Sequence, residues 1–241
     1  MSGHSKWATT KRHKAVIDAK RSSIFTKLGN NITIAARKGG DPELNFSLRM
    51  AIEKARSFNM PKENVERAVK RGTGELGGAT VEELTYEGFG PAKAGFIIEV
   101  LTDNKNRAGA EIRHLLAKHG GALGASNSVS WNFNRLGVIR IAAENLQNIS
   151  HDELELELIE AGADDILPKE EGLAVLTNIE NLKNIKKLLD DKNIKTESAE
   201  IEYIAKDEKK LGDEDKEKVE QFIEALEENE DVSNYYTDVT L

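Results

Sequence analysis

The sequence predicts an α+β protein of three domains, an N-terminal helical domain followed by two small ferredoxin-like (split βαβ) α/β sandwich lobes. Three observations carry this reading. The charge changes sign beside a glycine-rich stretch, the apolar period changes there from purely helical to alternating strand and helix, and the chain ends on a helix–strand pair that has no partner of its own.

The 241 residues exceed the usual span of about 100–150 for one core. With 34 Lys or Arg against 42 Asp or Glu, the net charge is −8, which taken alone argues against a polyanionic partner. The charge is unevenly spread, however. Residues 1–75 hold 16 Lys or Arg against 7 Asp or Glu, a surplus of +9, and the remainder holds 18 against 35, or −17. The break coincides with Gly72 to Gly78. We expect a basic helical domain at 1–75, a discontinuous α/β domain at 79–133 plus 209–241, and an inserted α/β domain at 134–208.

In the basic segment, Ile24, Phe25, Leu28, Ile32, Ala35 and Ala36 follow helical spacing after the capping candidates Ser22 and Ser23, and Gly39-Gly40 supplies a stop. Asp41-Pro42-Glu43 predicts a restart with Asp41 as N-cap, and Leu44, Leu48, Ile52 and Ala55 form its apolar stripe. Pro61 opens a third helix packed through Val65, Ala68 and Val69 and ended by Gly72; a shorter basic helix is expected over 8–20.

Beyond Gly78, strands are expected at Phe96–Leu101 and Val129–Phe133 around a helix at Gly109–His119, a β-α-β unit. Val138–Ile141 then starts a second set, with a helix at Asp152–Ala161, a strand at Leu173–Thr177, a helix at Asn181–Asp190 and a strand at Ala199–Ile204. The order expected for it is the six-element β-α-β-β-α-β, of which these five elements are placed. The tail, a helix over Asp215–Glu228 and a strand over Tyr235–Val239, completes the first unit, which makes that domain discontinuous.

Several function classes are disfavoured. Without cysteine there is no disulfide framework, Cys-ligated metal or thiol nucleophile, and a reducing, cytoplasmic setting is expected. No run approaches the roughly 18 apolar residues of a membrane helix, so no membrane contact is expected. Gly72-Thr-Gly74-Glu-Leu-Gly77 matches the dinucleotide fingerprint by letter but follows a helix instead of a strand, and reads as a hinge. His114 and His119 stand about 140° apart around a helix, unsuited to a shared metal, and Asp164-Asp165 and Glu170-Glu171 read as solvated surface. No enzyme activity, cofactor or metal is expected.

What stands out is the basic end. His4, Lys6, Lys11, Arg12, His13, Lys14, Lys20, Arg21 and Lys27 can displace counterions from phosphates, and Trp7 offers a flat face for an unpaired base. Arg37 and Lys38 extend this set, and Arg49, Lys54, Arg56, Arg67, Lys70 and Arg71 could widen the positive face. The plain alternative is a solvated basic end with Trp7 packed against the next helix.

Gly3-His4-Ser5-Lys6-Trp7, Asp18-Ala19-Lys20-Arg21, Gly40-Asp41-Pro42, Asn59-Met60-Pro61, Tyr86-Glu87-Gly88-Phe89-Gly90-Pro91 and Asp103-Asn104-Lys105-Asn106-Arg107 resemble the YebC/PmpR family, from residue 2 to the C-terminal strand. That resemblance implies three domains and no cofactor or catalytic reaction. It implies a cytoplasmic DNA-binding transcriptional regulator, or a translational activator that associates with the ribosome. In Lys11-Arg12-His13-Lys14 the histidine follows arginine, where relatives often reverse the order. The expected partner is therefore nucleic acid, DNA or ribosomal RNA, bound by a monomer through its N-terminal domain. A protein-interaction adaptor whose basic end meets an acidic protein surface is the contrasting reading.

Overall fold

The computed structural model describes residues 17–77, 80–147 and 149–240. It has the α+β class expected, with helices first and two antiparallel sheet lobes after them. By contact it divides into two compact units, residues 1–134 with 204–241 and residues 135–203, so the chain leaves the first unit and returns to it.

The first unit opens with α1 (Ile17–Ala36), α2 (Phe46–Ser57) and α3 (Lys62–Gly72). Leu28, Ile32, Leu48, Ile52, Val65 and Ala68 make their shared core, the apolar positions that the helical period marks. Ser22 and Ser23 lie inside α1 and cap nothing; Thr26 Oγ1 donates back to Ser22 O at 3.1 Å within the helix. Asp41 is not the next N-cap either. Its carboxylate accepts only from Glu43 N, closing a turn, and Leu44 is left 87% exposed. Asn45 takes the cap, because its amide can work in both directions. It accepts from Leu48 N and donates to Ala35 O at 2.8 Å and Gly39 O at 2.7 Å, tying the end of α1 to the start of α2. Pro61 occupies the N-cap of α3, one position before the place expected for it.

Gly72 is fixed by close approach. A Cβ there would stand 2.3 Å from Thr33 O and 2.6 Å from the Ala36 side chain. The Thr33 hydroxyl donates to Gly29 O and contacts Ala68 O at 3.2 Å, so α1 and α3 meet almost backbone to backbone. Gly72→Ala is expected to lose about 1–3 kcal/mol to overpacking, more than helix propensity returns. A urea midpoint at or above that of the unmodified protein would show that the helices do not meet this closely.

The same unit contains a four-stranded sheet in the order β3-β1-β2-β9, from β1 (Glu82–Phe89), β2 (Gly95–Thr102), β3 (Ala122–Leu123) and, far along the chain, β9 (Val232–Thr237). Helices α4 (Lys105–Lys118) and α7 (Asp213–Glu228) pack on it through Ile112, Leu116, Val219, Phe222 and Leu226, with Phe96 edge-on to Phe222 at 4.9 Å. The tail thus supplies a helix and a strand to this lobe. The expected opening β-α-β is instead β-β-α: β1 pairs antiparallel with β2 from Glu82↔Thr102 to Phe89↔Gly95. The run Val129–Phe133 holds a short 3₁₀ turn, Ser130–Asn132, and only Phe133 enters a strand. The first lobe is therefore a two-layer sandwich without ferredoxin-like connections.

The second unit is built from β4 (Phe133–Ala142), α5 (His151–Glu160), β5 (Ala163–Lys169), β6 (Gly172–Thr177), α6 (Leu182–Asp191) and β7 (Ser198–Ala205). Strand order β5-β6-β4-β7 is the split βαβ arrangement expected for it. Strand β5 had no counterpart in the sequence reading and completes the sheet at one edge. Two buried polar groups stand out here. Arg140 on β4 and Glu202 on β7 form a bidentate ion pair with side chains only 5% and 2% exposed. A small parallel pair, β8 (Lys209–Lys210) with β10 (Val239–Thr240), lies in the first unit. No helix among the described residues is long and apolar enough to cross a membrane.

Candidate nucleic-acid interface

Of the residues expected to bind nucleic acid, His4, Lys6, Trp7, Lys11, Arg12, His13 and Lys14 lie outside the described residues. Lys20 and Arg21 fall within α1. The other three divide into two kinds. Lys27 donates to Glu227 O at 2.6 Å, satisfying a carbonyl in the last turn of α7, where a cation also meets the negative end of the helix dipole. Arg37 donates to Val81 O just before β1. With Asn30, whose amide reaches Leu101 O at 3.4 Å, these residues join the basic helices to the first lobe. Lys38 is exposed to solvent, as is the remainder of the Arg37 side chain.

The exposed cations continue along α2 and α3. Arg56, Arg67, Lys70 and Arg71 are all exposed; Arg67 and Lys70, at i and i+3, stand on the side of α3 opposite buried Val65 and Ala68, and Arg71, at i+4, flanks them. Lys62 is partly neutralised by Glu66 at 3.6 Å. Arg49 is half-buried with its guanidinium 5.6 Å from the Phe46 ring centre, a packing role. Helical periodicity marks which of these residues point outward; it carries no sign of the tertiary contacts that occupy Lys27 and Arg37.

Sequence reasoning missed a second feature in this unit. Glu87, projecting from β1, accepts backbone N–H groups from Asn127 at 2.9 Å and from Val129 and Ser130 at 2.8 Å each. Burial opposes ionisation of this carboxyl, but the Ser130, Val129 and Asn127 amides together outweigh it and hold the group below its usual range. The loop so anchored carries Trp131, 66% exposed, with its indole N–H donating to Ser128 O at 3.1 Å and its carbonyl accepting from Lys206 Nζ at 2.7 Å. A fixed, solvent-facing indole of this kind can stack with an unpaired base. The loop composition of Gly124-Ala-Ser-Asn-Ser was the available signal.

Because its folded-state pKa is lowered, Glu87 contributes stability that is present above the ordinary carboxylate value and lost as pH falls through the folded value. Glu87→Gln is expected to cost about 1–3 kcal/mol at neutral pH and to flatten the acid limb of a stability–pH profile. An unchanged profile would show that the carboxylate does not hold the loop. His119 behaves in the same direction: burial, then the neighbouring Lys118, lowers its pKa, and its ring packs 5.5 Å from Phe222.

No group of three or more His, Cys, Asp or Glu among the described residues is arranged to hold a metal ion. The glycine fingerprint ends a helix: Gly72 closes α3, Glu75 N returns to Lys70 O at 3.0 Å, and Gly74 adopts φ +83°.

Residues 5–75 match the family model described as the TACO1/YebC protein N-terminal domain, and residues 81–239 match the TACO1/YebC second and third domain. A probable transcriptional regulatory protein of Caldanaerobacter subterraneus is 48% identical over 242 residues, covering 100% of this chain and 99% of that protein. Another, from Thermotoga maritima, is 47% identical over 238 residues, covering 98% and 93%. The crystal structure of a conserved hypothetical protein from Aquifex aeolicus matches with a TM-score of 0.83 at 40% identity, over 93% of this chain and 92% of that one.

Proposed function

The chain belongs to the TACO1/YebC family, and on that premise we propose that it is a non-enzymatic regulator of gene expression that binds nucleic acid through its basic helices. The observation that carries this reading is the segregation of charge, +9 in residues 1–75 against −17 in the rest, with Lys38, Arg56, Arg67 and Lys70 exposed on the helical part. Cations so placed release counterions from phosphates whatever the base sequence. The names of the relatives, probable transcriptional regulatory proteins, support a role in transcription, and duplex DNA is the target that role calls for. The protein acts in the cytoplasm as a monomer, and its acidic lobes keep polyanions away from the remainder of the surface.

A second reading is favoured by Trp131. An exposed indole held on a fixed loop suits unpaired bases better than a duplex, which points to ribosomal RNA and a role in translation. One experiment separates the two: the partition of the full chain between ribosomes and a promoter-length duplex at matched salt. Preference for the duplex supports the transcriptional reading. Co-sedimentation with ribosomes together with weak, sequence-blind duplex binding would replace it with the translational one, and binding to neither would remove both.

A further inference from the structure

Helix α5 in the second unit presents the wrong residues to solvent. Leu154 and Leu158 are buried at 3% and 0%, and with 3.6 residues per turn Leu156 lies about 160° from each of them, directly outward. It is 63% exposed, and Ile159, one turn on, is 53% exposed. Around these two stand Asp152, Glu153, Glu155 and Glu160, all exposed. Beyond the C-terminal end of the helix, Ile179 is 40% exposed on a turn bound to Gly162 through the Asn181 side chain.

Folding of the lobe explains part of this pattern and leaves the rest. Asp152 and Glu153 occupy the first turn, where negative charge complements the helix dipole. Glu160 sits in the last turn, where it opposes the dipole, and that turn carries no basic residue. Leu156 and Ile159 return nothing to the fold while exposed to water. Residues 135–203 as a whole hold 8 Lys or Arg against 16 Asp or Glu. That field repels nucleic acid and anionic lipid surfaces and attracts cations.

We propose that the Leu156–Ile159 ridge of α5, rimmed by Asp152, Glu153, Glu155 and Glu160, is a docking surface for a cationic amphipathic segment of another protein. The two aliphatic side chains enter the apolar stripe of the partner segment, and the carboxylates meet the Lys or Arg residues flanking that stripe. The ridge belongs to the second unit and the basic helices to the first, and nucleic-acid binding does not depend on the ridge.

The test uses the full chain and a fluorescent synthetic Leu/Lys amphipathic helical peptide, followed by anisotropy, with a scrambled peptide of the same composition as control. The amphipathic peptide is expected to bind more tightly than the scrambled one. Leu156→Gln with Ile159→Gln is expected to raise its Kd by about tenfold, with the melting temperature unchanged because both side chains are exposed. Glu160→Lys should also raise Kd while leaving the fold intact. Equal binding of the two peptides, or a Kd that the Leu156→Gln/Ile159→Gln variant does not move, would overturn the proposal. So would a dimer mass in sedimentation equilibrium that this variant reduces to monomer, since a second copy would then be the occupant.

Discussion

Replacing Glu202 with alanine is expected to destabilise the second unit by about 3–5 kcal/mol, because it removes the carboxylate paired with the Arg140 guanidinium where that side chain is only 5% exposed. The two residues meet bidentately across β4 and β7, so the arginine loses this planar carboxylate and both of its hydrogen bonds together. Arg140→Met with Glu202→Leu removes both charges at similar volume and is expected to lie much closer to the unmodified protein. Urea unfolding of the three forms separates the cases. A Glu202→Ala protein within about 1 kcal/mol of the original would mean that the pair is solvated and carries little of the lobe's stability.

Neutralising the exposed cations of the helical part should have the largest effect on binding. Lys38→Gln, Arg56→Gln, Arg67→Gln and Lys70→Gln combined are expected to weaken nucleic-acid affinity by on the order of 10²–10³-fold at ~0.15 M salt if all four meet phosphate, and to do so uniformly across base sequences. All four side chains are exposed, so the fold should be unaffected. Neutralising Lys27 instead should reduce stability before affinity, since its ammonium holds Glu227 O at the end of α7. Full affinity in the fourfold variant would move the interface elsewhere in the chain.

Much of the architecture could be read from the sequence because it rests on long apolar stripes. Leu28 and Ile32, Leu48 and Ile52, and Leu154 and Leu158 repeat at helical spacing, and all are buried. The C-terminal helix and strand were placed with the first lobe for want of another partner, and β9 pairs with β2. The two longest missed strands share a cause. Strand β1 carries Glu82, Glu83 and Glu87 and is covered on its outer side only at Gly88 and Phe89 by the two residues of β3. Strand β5 carries Asp164, Asp165 and Pro168 at the open edge of its sheet, where charge and proline are tolerated.

Local capping was less legible, because several residues with capping chemistry lie close together. Asp41 and Asn45 both qualify, and Asn45 prevails because an amide can donate to the end of α1 while accepting at the start of α2. The basic surface was legible as a charge distribution and less so as individual contacts. Lys27 and Arg37 look like phosphate ligands from composition, yet both spend donors on backbone carbonyls of the first lobe. Glu87 gave no signal, since its partners are amides of residues 127–130, about forty positions further on.

The central claim is that the basic helices grip phosphates, and the salt dependence of binding tests it most directly. Affinity of the full chain for a promoter-length duplex, titrated across a salt series, should fall linearly in log–log form with a slope of roughly −4.5 if about five cations contact phosphate. A flat response would contradict the account.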